Sequence, residues 1–331
     1  DRPVLSRRRF LNTSLLGASA ALLARPLRTF AADAPAPVAA PPSAKLTMLS
    51  AMAGSDFETA CRRHAEIGLQ WLDLKDGLWG ETINNLSLDN ARRAAAIARD
   101  HGLKVFCFST ALCESEVNVG ESAFRARHLP TLDHVLKVAD ILQPTRIRLI
   151  GARLKPFPKN ESTLAVVERD HPWTIGVYRE MVDRIAASGR RVLIENETGN
   201  VILNRPEAIL RFFELLDRSD KARYTWDVQN LWEVGVFPSL DVYRQLRPVI
   251  GCLHLKGGRT EGDGKKLAYA SSLADASWPV VDIVGAAVRD GVAPFLCLNP
   301  SHGKRPPGYK GGWDTTRSDV AFLRQNISAD L

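Results

Sequence analysis

The chain has 331 residues, 45% of them hydrophobic and 24% charged, which is enough apolar material for a large core and excludes a disordered or fibrous polymer. Its formal charge of +7 is unevenly spread, because residues 1–32 hold six arginines against the single acid Asp1 and so carry +5, leaving +2 for the remainder. A basic footprint is thus absent from the body of the protein, and no nucleic-acid partner is expected.

The basic segment reads as an address. Ser6-Arg7-Arg8-Arg9-Phe10-Leu11 matches the twin-arginine export pattern, and the apolar stretch from Leu15 to Ala24 that follows is too short and too rich in Ala and Ser to span a bilayer stably. Ala31 and Ala32 offer a cleavage site, and residues 33–44 form a Pro/Ala-rich tether. The expectation is a signal peptide over 1–32, a linker over 33–44 and a periplasmic protein that crosses the membrane already folded, with no stable membrane insertion once the signal is removed. The competing reading is a basic amphipathic helix kept as an anchor.

From Lys45 onward, short apolar runs alternate with longer amphipathic stretches. The runs begin near Leu46, Gln70, Leu103, Arg146, Arg191, Tyr224, Ile250 and Pro294, and each is rich in Val, Ile, Leu, Phe or Trp and ends in a polar cluster. That is the pattern of strands buried on both faces. Between them lie helical segments such as Ser87–His101 and Thr174–Ser188, the second followed by Gly189 as a terminator. Strand then helix, repeated about eight times, predicts a single (β/α)8 TIM barrel over residues 45–331. An open doubly wound sheet is the competitor, but no glycine-rich phosphate turn follows an early strand. Cys61, Cys107, Cys113, Cys252 and Cys297 show no C-x-x-C spacing, and Cys107, Cys252 and Cys297 are expected to be small buried hydrophobes.

Chemistry in such a barrel sits at the C-terminal ends of the strands. Glu195 and Glu197 are two apart on the fifth run and share a strand face, as do Asp227 and Gln229 on the sixth, followed by Asn230. The seventh run offers His254 and Lys256 in phase, then Arg259; the eighth offers Asn299, Ser301 and His302, and early strands add Asp73 and Lys75. Glu195, Asp227 and His254, one on each of three successive strands, form the oxygen and nitrogen set that a divalent cation requires. Lys256 needs an anionic partner or substrate. The remaining histidines, His64, His101, His128, His134 and His171, are read as surface or helix-end residues.

Taken in order, Ile194–Glu197 (IENE), Trp226–Trp232 (WDVQNLW), Leu253–Lys256 (LHLK) and Leu298–His302 (LNPSH) resemble the strand-end motifs of the xylose isomerase-like sugar isomerase/epimerase superfamily. The resemblance implies a metal site of a glutamate, an aspartate, a histidine and a last-strand glutamate, which become Glu195, Asp227, His254 and, as a departure, Asn299. The ion would be Mn, Co, Zn or Mg. Asn299 offers a carbonyl oxygen but carries no proton, so two-base epimerisation is in doubt. His302 could take over as ligand or acid/base, one base could suffice, or catalysis could be lost.

The chemistry implied is deprotonation next to a sugar carbonyl to give an enediolate, with Glu195 or Glu197 taking the proton and Lys256 holding the oxyanion or protonating a leaving oxygen. Isomerase, epimerase and dehydratase or lyase outcomes stay open, and a carbohydrate-binding barrel without catalysis is the alternative. Lys75, Trp79, Asn230, Trp232 and Arg259 are the candidate substrate contacts, the tryptophans by stacking on a sugar face. Gly303–Trp313 could form a lid. An endonuclease IV-like enzyme would need many histidine ligands and a basic groove, which this sequence lacks. A homo-oligomer is possible.

Overall fold

The computed structural model describes residues 44–158 and 161–331. The export signal placed over 1–32, and the linker up to residue 43, lie outside the described residues. Eight strands form one parallel sheet: β1 (Lys45–Met48), β2 (Trp71–Leu74), β3 (Lys104–Ser109), β4 (Arg146–Ile150), β5 (Arg191–Glu195), β6 (Ala222–Asp227), β7 (Ile250–Leu255) and, after a hairpin of β8 (Arg259–Thr260) and β9 (Leu267–Tyr269), β10 (Phe295–Leu298). Their order is β1-β10-β7-β6-β5-β4-β3-β2, and a parallel bridge from Leu49 to Asp73 with a Thr47 Oγ1 to Trp71 carbonyl hydrogen bond of 2.8 Å brings the two ends together. The expected TIM barrel is the observed fold, and the eight apolar runs are its eight barrel strands.

Two anticipated helices form nearly as drawn. Leu88–Asp100 starts where Ser87 accepts a hydrogen bond from the Asn90 N–H, and Trp173–Ala187 ends before Gly189, whose φ of +82° suits a residue without Cβ. The sixth run departs from expectation. Its strand stops at Asp227, which caps the helix Val228–Glu233, so Gln229 is helical and does not share a strand face with Asp227. The hairpin is an insertion that no apolar run announced.

Two histidines also depart from the surface reading. His64 and His128 are buried. His64 places Nδ1 2.9 Å from the Ala60 carbonyl, while His128 accepts from the Cys113 N–H at Nδ1 and donates from Nε2 to Ser115 Oγ. Burial pulls both down to about 4, so they are neutral core residues. All five cysteines are buried and free.

Residues two apart along a strand face the same side, and the barrel interior is built in layers on that rule. Phe106, Cys107, Leu193, Cys252, Phe295 and Cys297 form a small interior cluster, with Phe106 stacked on Phe295 at 3.8 Å. One step further along the strands, Leu193 gives way to Glu195, Cys252 to His254 and Cys297 to Asn299. The apolar plug therefore supports a polar layer at the C-terminal mouth. The larger apolar cluster lies between the sheet and its helices.

Candidate active site

Each polar group at the mouth is held by its own strand end. Glu195 is the last residue of β5 and reaches two partners: Oε1 lies 2.7 Å from His254 Nδ1, and Oε2 accepts from Arg148 Nη1. Asp227 divides its carboxylate. Oδ1 accepts the N–H groups of Gln229 and Asn230 at the helix start, which leaves Oδ2 turned into the mouth, 4.0 Å from His254 Nδ1. Asn299 directs its amide nitrogen to the same imidazole atom at 2.8 Å, and Asp73 Oδ2 stands 4.0 Å from Nε2 on the other side. Glu195, Asp227, His254, Asn299 and Asp73 are all buried.

These residues fit a divalent cation. One donor atom from each of Glu195, Asp227 and His254 lies within 4.8 Å of the others, and among the described residues no group donates a hydrogen bond to the buried carboxylate oxygen Asp227 Oδ2. A second group of donors, Asp73, His254 and Cys297, uses the far side of the same imidazole. An acidic side chain facing the non-ligating nitrogen is the usual way of orienting a metal-binding histidine.

Lys256 balances the acids. Its ammonium lies 2.7 Å from Asp227 Oδ2, close enough for an ion pair though not aligned as a hydrogen bond, and donates to Asn230 Oδ1 at 2.8 Å. It also approaches His302 Nε2 at 3.3 Å, while His302 Nδ1 lies 3.0 Å from Glu233 Oε1. The tautomer that satisfies both contacts donates from Nδ1 to Glu233 and accepts from Lys256 at Nε2.

The two glutamates separate electrostatically. Burial alone would raise the Glu195 carboxyl, but the Arg148 guanidinium and the His254 imidazole outweigh it and hold it down to about 2. Glu197 moves the other way, raised first by burial and then by the charge of Glu195. It accepts from the Thr198 N–H and from Asn230 Nδ2, both at 2.9 Å. Glu195 is therefore a weak base and Glu197 the better proton acceptor.

Above this layer opens a cleft of about 410 Å³ lined by Lys75, Arg148, Glu195, Glu197, Asp227, Asn230, Lys256, Asn299 and His302, together with Arg305, Tyr309 and Asp319. The structure thus gathers Glu195, Glu197, Asp227, His254, Lys256, Asn299, Asn230, Lys75 and His302 at one mouth. Three expected sugar contacts lie elsewhere. Trp79 packs edge-on against Phe57 with the Arg93 guanidinium 4.2 Å from its ring, and Trp232 is buried against Phe237 with its indole N–H donated to the Lys265 carbonyl, so neither face is open to a ligand in the cleft. Arg259 lines an adjoining hollow instead. The expected lid is shortened at both ends: Lys304 is hydrogen-bonded to Ala268 and Ala270 of the hairpin region, and Gly312 already begins the helix Gly312–Asn326. Gly257 permits this roofing, since a Cβ there would stand 2.0 Å from the Ser271 carbonyl oxygen.

Sequence reasoning left out Arg148 and Asp319. The signal for Arg148 was present, an arginine in the middle of an apolar strand, which must point inward and find an acid. Asp319 gave none, because an aspartate on an amphipathic helix is ordinarily solvated.

The family described as Xylose isomerase-like TIM barrel matches residues 61–293, and the chain belongs to it. No curated protein matches the sequence. Among solved structures, the chain is similar to the probable 3-DHS dehydratase involved in petrobactin synthesis from Bacillus anthracis, at 16% identity, TM-score 0.62 and coverage of 84% of this chain and 98% of that one. It is similar to a xylose isomerase-like TIM barrel protein from Mycobacterium smegmatis in complex with magnesium, at 16% identity, TM-score 0.63 and coverage of 87% and 97%. It is likewise similar to D-psicose 3-epimerase in the presence of D-fructose, at 15% identity, TM-score 0.64 and coverage of 86% and 99%. At these identities the likeness is one of fold.

Proposed function

We propose that the protein is a divalent-metal-dependent sugar epimerase, isomerase or lyase that works by deprotonation next to a carbonyl. The observation that carries this reading is the convergence of Glu195, Asp227 and His254 donor atoms within 4.8 Å of one another at the floor of a sugar-sized cleft. Similar folds include an epimerase, a dehydratase and a magnesium complex, which supports both the chemistry and the ion. Glu195, Asp227, His254 and Asn299, the last with its side-chain amide turned so that the oxygen faces the site, would hold the cation, which would supply Lewis-acid polarisation of the substrate carbonyl.

The chain's own groups divide the remaining work. Glu197, with its raised carboxyl in the cleft, takes the proton at the carbon next to the carbonyl. Lys256 has three donors, and all three face protein groups, Asp227, Asn230 and His302. A cation shared with Asp227 would loosen the first of these contacts and free an N–H for a substrate oxygen. His302 accepts from Lys256 at Nε2 and holds no proton there in that tautomer; once Nε2 has taken a proton from solvent it can return one to the amine, so Lys256 and His302 form the acid side of the reaction. With Asn299 in the fourth metal position, the return of the proton falls to this pair or to Glu197 itself.

Asn299 also favours a second reading, a carbohydrate-binding barrel without turnover. Incubating manganese-loaded protein with D-fructose and related ketoses in deuterated water separates the two, since carbon-bound deuterium next to the carbonyl requires turnover and Glu197→Gln should reduce it at least about a hundredfold. Sugar binding without any label would establish the binder. Export through the twin-arginine pathway is part of this proposal, supported by the Ser6–Leu11 pattern alone.

A further inference from the structure

The end of the barrel opposite the candidate active site concentrates positive charge that the near-neutral total of the body conceals. Lys45, Lys104, Arg146 and Arg191 open β1, β3, β4 and β5, and Arg223 is the second residue of β6. Side-chain alternation turns most of them inward. Leu46 and Met48 pack against the helices and so leave Lys45 on the inner face, while Arg146, Arg191 and Arg223 stand two or four residues before the inward-facing Arg148, Glu195 and Asp227. Lys104 joins them through Trp71, the first residue of β2: its ammonium lies 5.7 Å from the centroid of that ring, and the Lys45 ammonium lies 4.6 Å from it. Five of the strands β1 to β6 therefore bring a cation to one opening.

Among the described residues none of the five pairs with a carboxylate. Arg146 Nη1 donates to the Thr145 carbonyl at 2.9 Å, and Arg223 Nη2 donates to the Ile250 carbonyl at 3.1 Å. Arg146 and Arg191 are register partners on β4 and β5, so two like charges are held side by side, which costs stability. Burial and then the charge of Arg191 press the Arg146 guanidinium below its ordinary value, and burial does the same to Arg223; no carboxylate among the described residues offsets either. Cations set back from solvent in this way are costly unless an anion completes them. Lys45, Lys104 and Arg191 are exposed, whereas Arg146 and Arg223 are half-buried. A flat anionic surface would meet the first three and leave the two guanidiniums uncompensated, but a compact anion can enter between them. Guanidinium forks match phosphate oxygens in pairs, and the ammonium groups add point charges around them. The interior cluster around Phe106 and Phe295 separates this end from the metal layer.

We propose that the N-terminal end of the barrel binds a compact phosphate anion carrying several charges, with a diphosphate as its simplest form. The proposal is independent of the chemistry assigned to the opposite mouth. Titration calorimetry tests it on the full chain, dialysed into metal-free buffer so that inorganic pyrophosphate meets no free cation. Pyrophosphate should bind at least about tenfold more tightly than orthophosphate, because it offers more charge to the same ring. Arg146→Gln and Arg191→Gln should each weaken pyrophosphate at least about tenfold, and neither strands an acid, so both should remain folded in urea titrations. Lys45→Gln combined with Lys104→Gln alters only exposed side chains and should weaken it to a similar degree. Lys256→Gln, at the other mouth, should leave the affinity within about twofold. Absence of pyrophosphate binding by the parent, affinity unmoved in all the N-terminal-end variants, or affinity lost only in Lys256→Gln overturns the proposal. Capture on phosphatidylglycerol vesicles without any affinity for pyrophosphate overturns it too, in favour of a lipid surface.

Discussion

The Arg148–Glu195 pair offers the sharpest test of the site's electrostatics. Both side chains are buried, Arg148 also donates to the Thr110 carbonyl at 2.9 Å, and its Nε has no partner among the described residues. The Glu195 carboxyl stands at about 2 against an ordinary 4.5. Each unit of difference is worth about 1.4 kcal/mol, so ionised Glu195 contributes roughly 3 kcal/mol to native stability. Because the folded value is depressed, that contribution is present above the unfolded value and is lost as pH falls from about 4.5 through about 2. Removing one partner strands the other charge. Arg148→Met and Glu195→Gln should each cost about 3–5 kcal/mol at neutral pH, and the double variant should cost clearly less than their sum. Urea unfolding followed by circular dichroism, in chelator so that no cation compensates Glu195, reads all four corners of the cycle. Additivity to within about 0.5 kcal/mol would refute the claim that these groups neutralise each other.

Three other outcomes follow from the same geometry. His254→Ala and Asp227→Asn should lose bound metal by elemental analysis while remaining folded, and full metal content in both would remove the proposed ligand set. Asn299→Glu adds a charged ligand where the amide stands, and should tighten divalent-ion binding at least about tenfold in a competition titration with a chromogenic chelator. Asp319 runs opposite to Glu195 in sign, since its folded value is raised to about 7 and its stabilising, protonated form is lost as pH rises through that value. The stability advantage of Asp319→Asn over the parent should therefore grow between pH 5 and pH 8, by about 3 kcal/mol, and a constant difference would count against a buried carboxyl.

How far the site was legible depended on where each residue stands in its strand. Glu195 and His254 follow Leu193 and Cys252 at the inward spacing, so a polar group after an apolar one on the same face already marks the mouth. Asn299 follows Cys297 at the same spacing, and only the family resemblance made it a metal position, while Asp227 owes its free oxygen to a helix start that looked like a continuing strand. Trp79 and Trp232 misled because an aromatic in a loop after a strand reads equally as ligand stacking or as packing, and here both pack.

Local pattern therefore determined the alternation of buried strands and amphipathic helices, hence the barrel and the end of it that carries polar groups. Hydrophobic periodicity is a property of neighbours along the chain, and short segments express it without reference to the rest. Tertiary structure alone decided which charges meet: that Arg148 neutralises Glu195 across 47 positions, that Lys256 lies over Asp227, and that Asp319 faces the cleft from the last helix. Those pairings depend on ring closure and on burial, which set distance and dielectric, and neither is encoded in the spacing of residues along any one element.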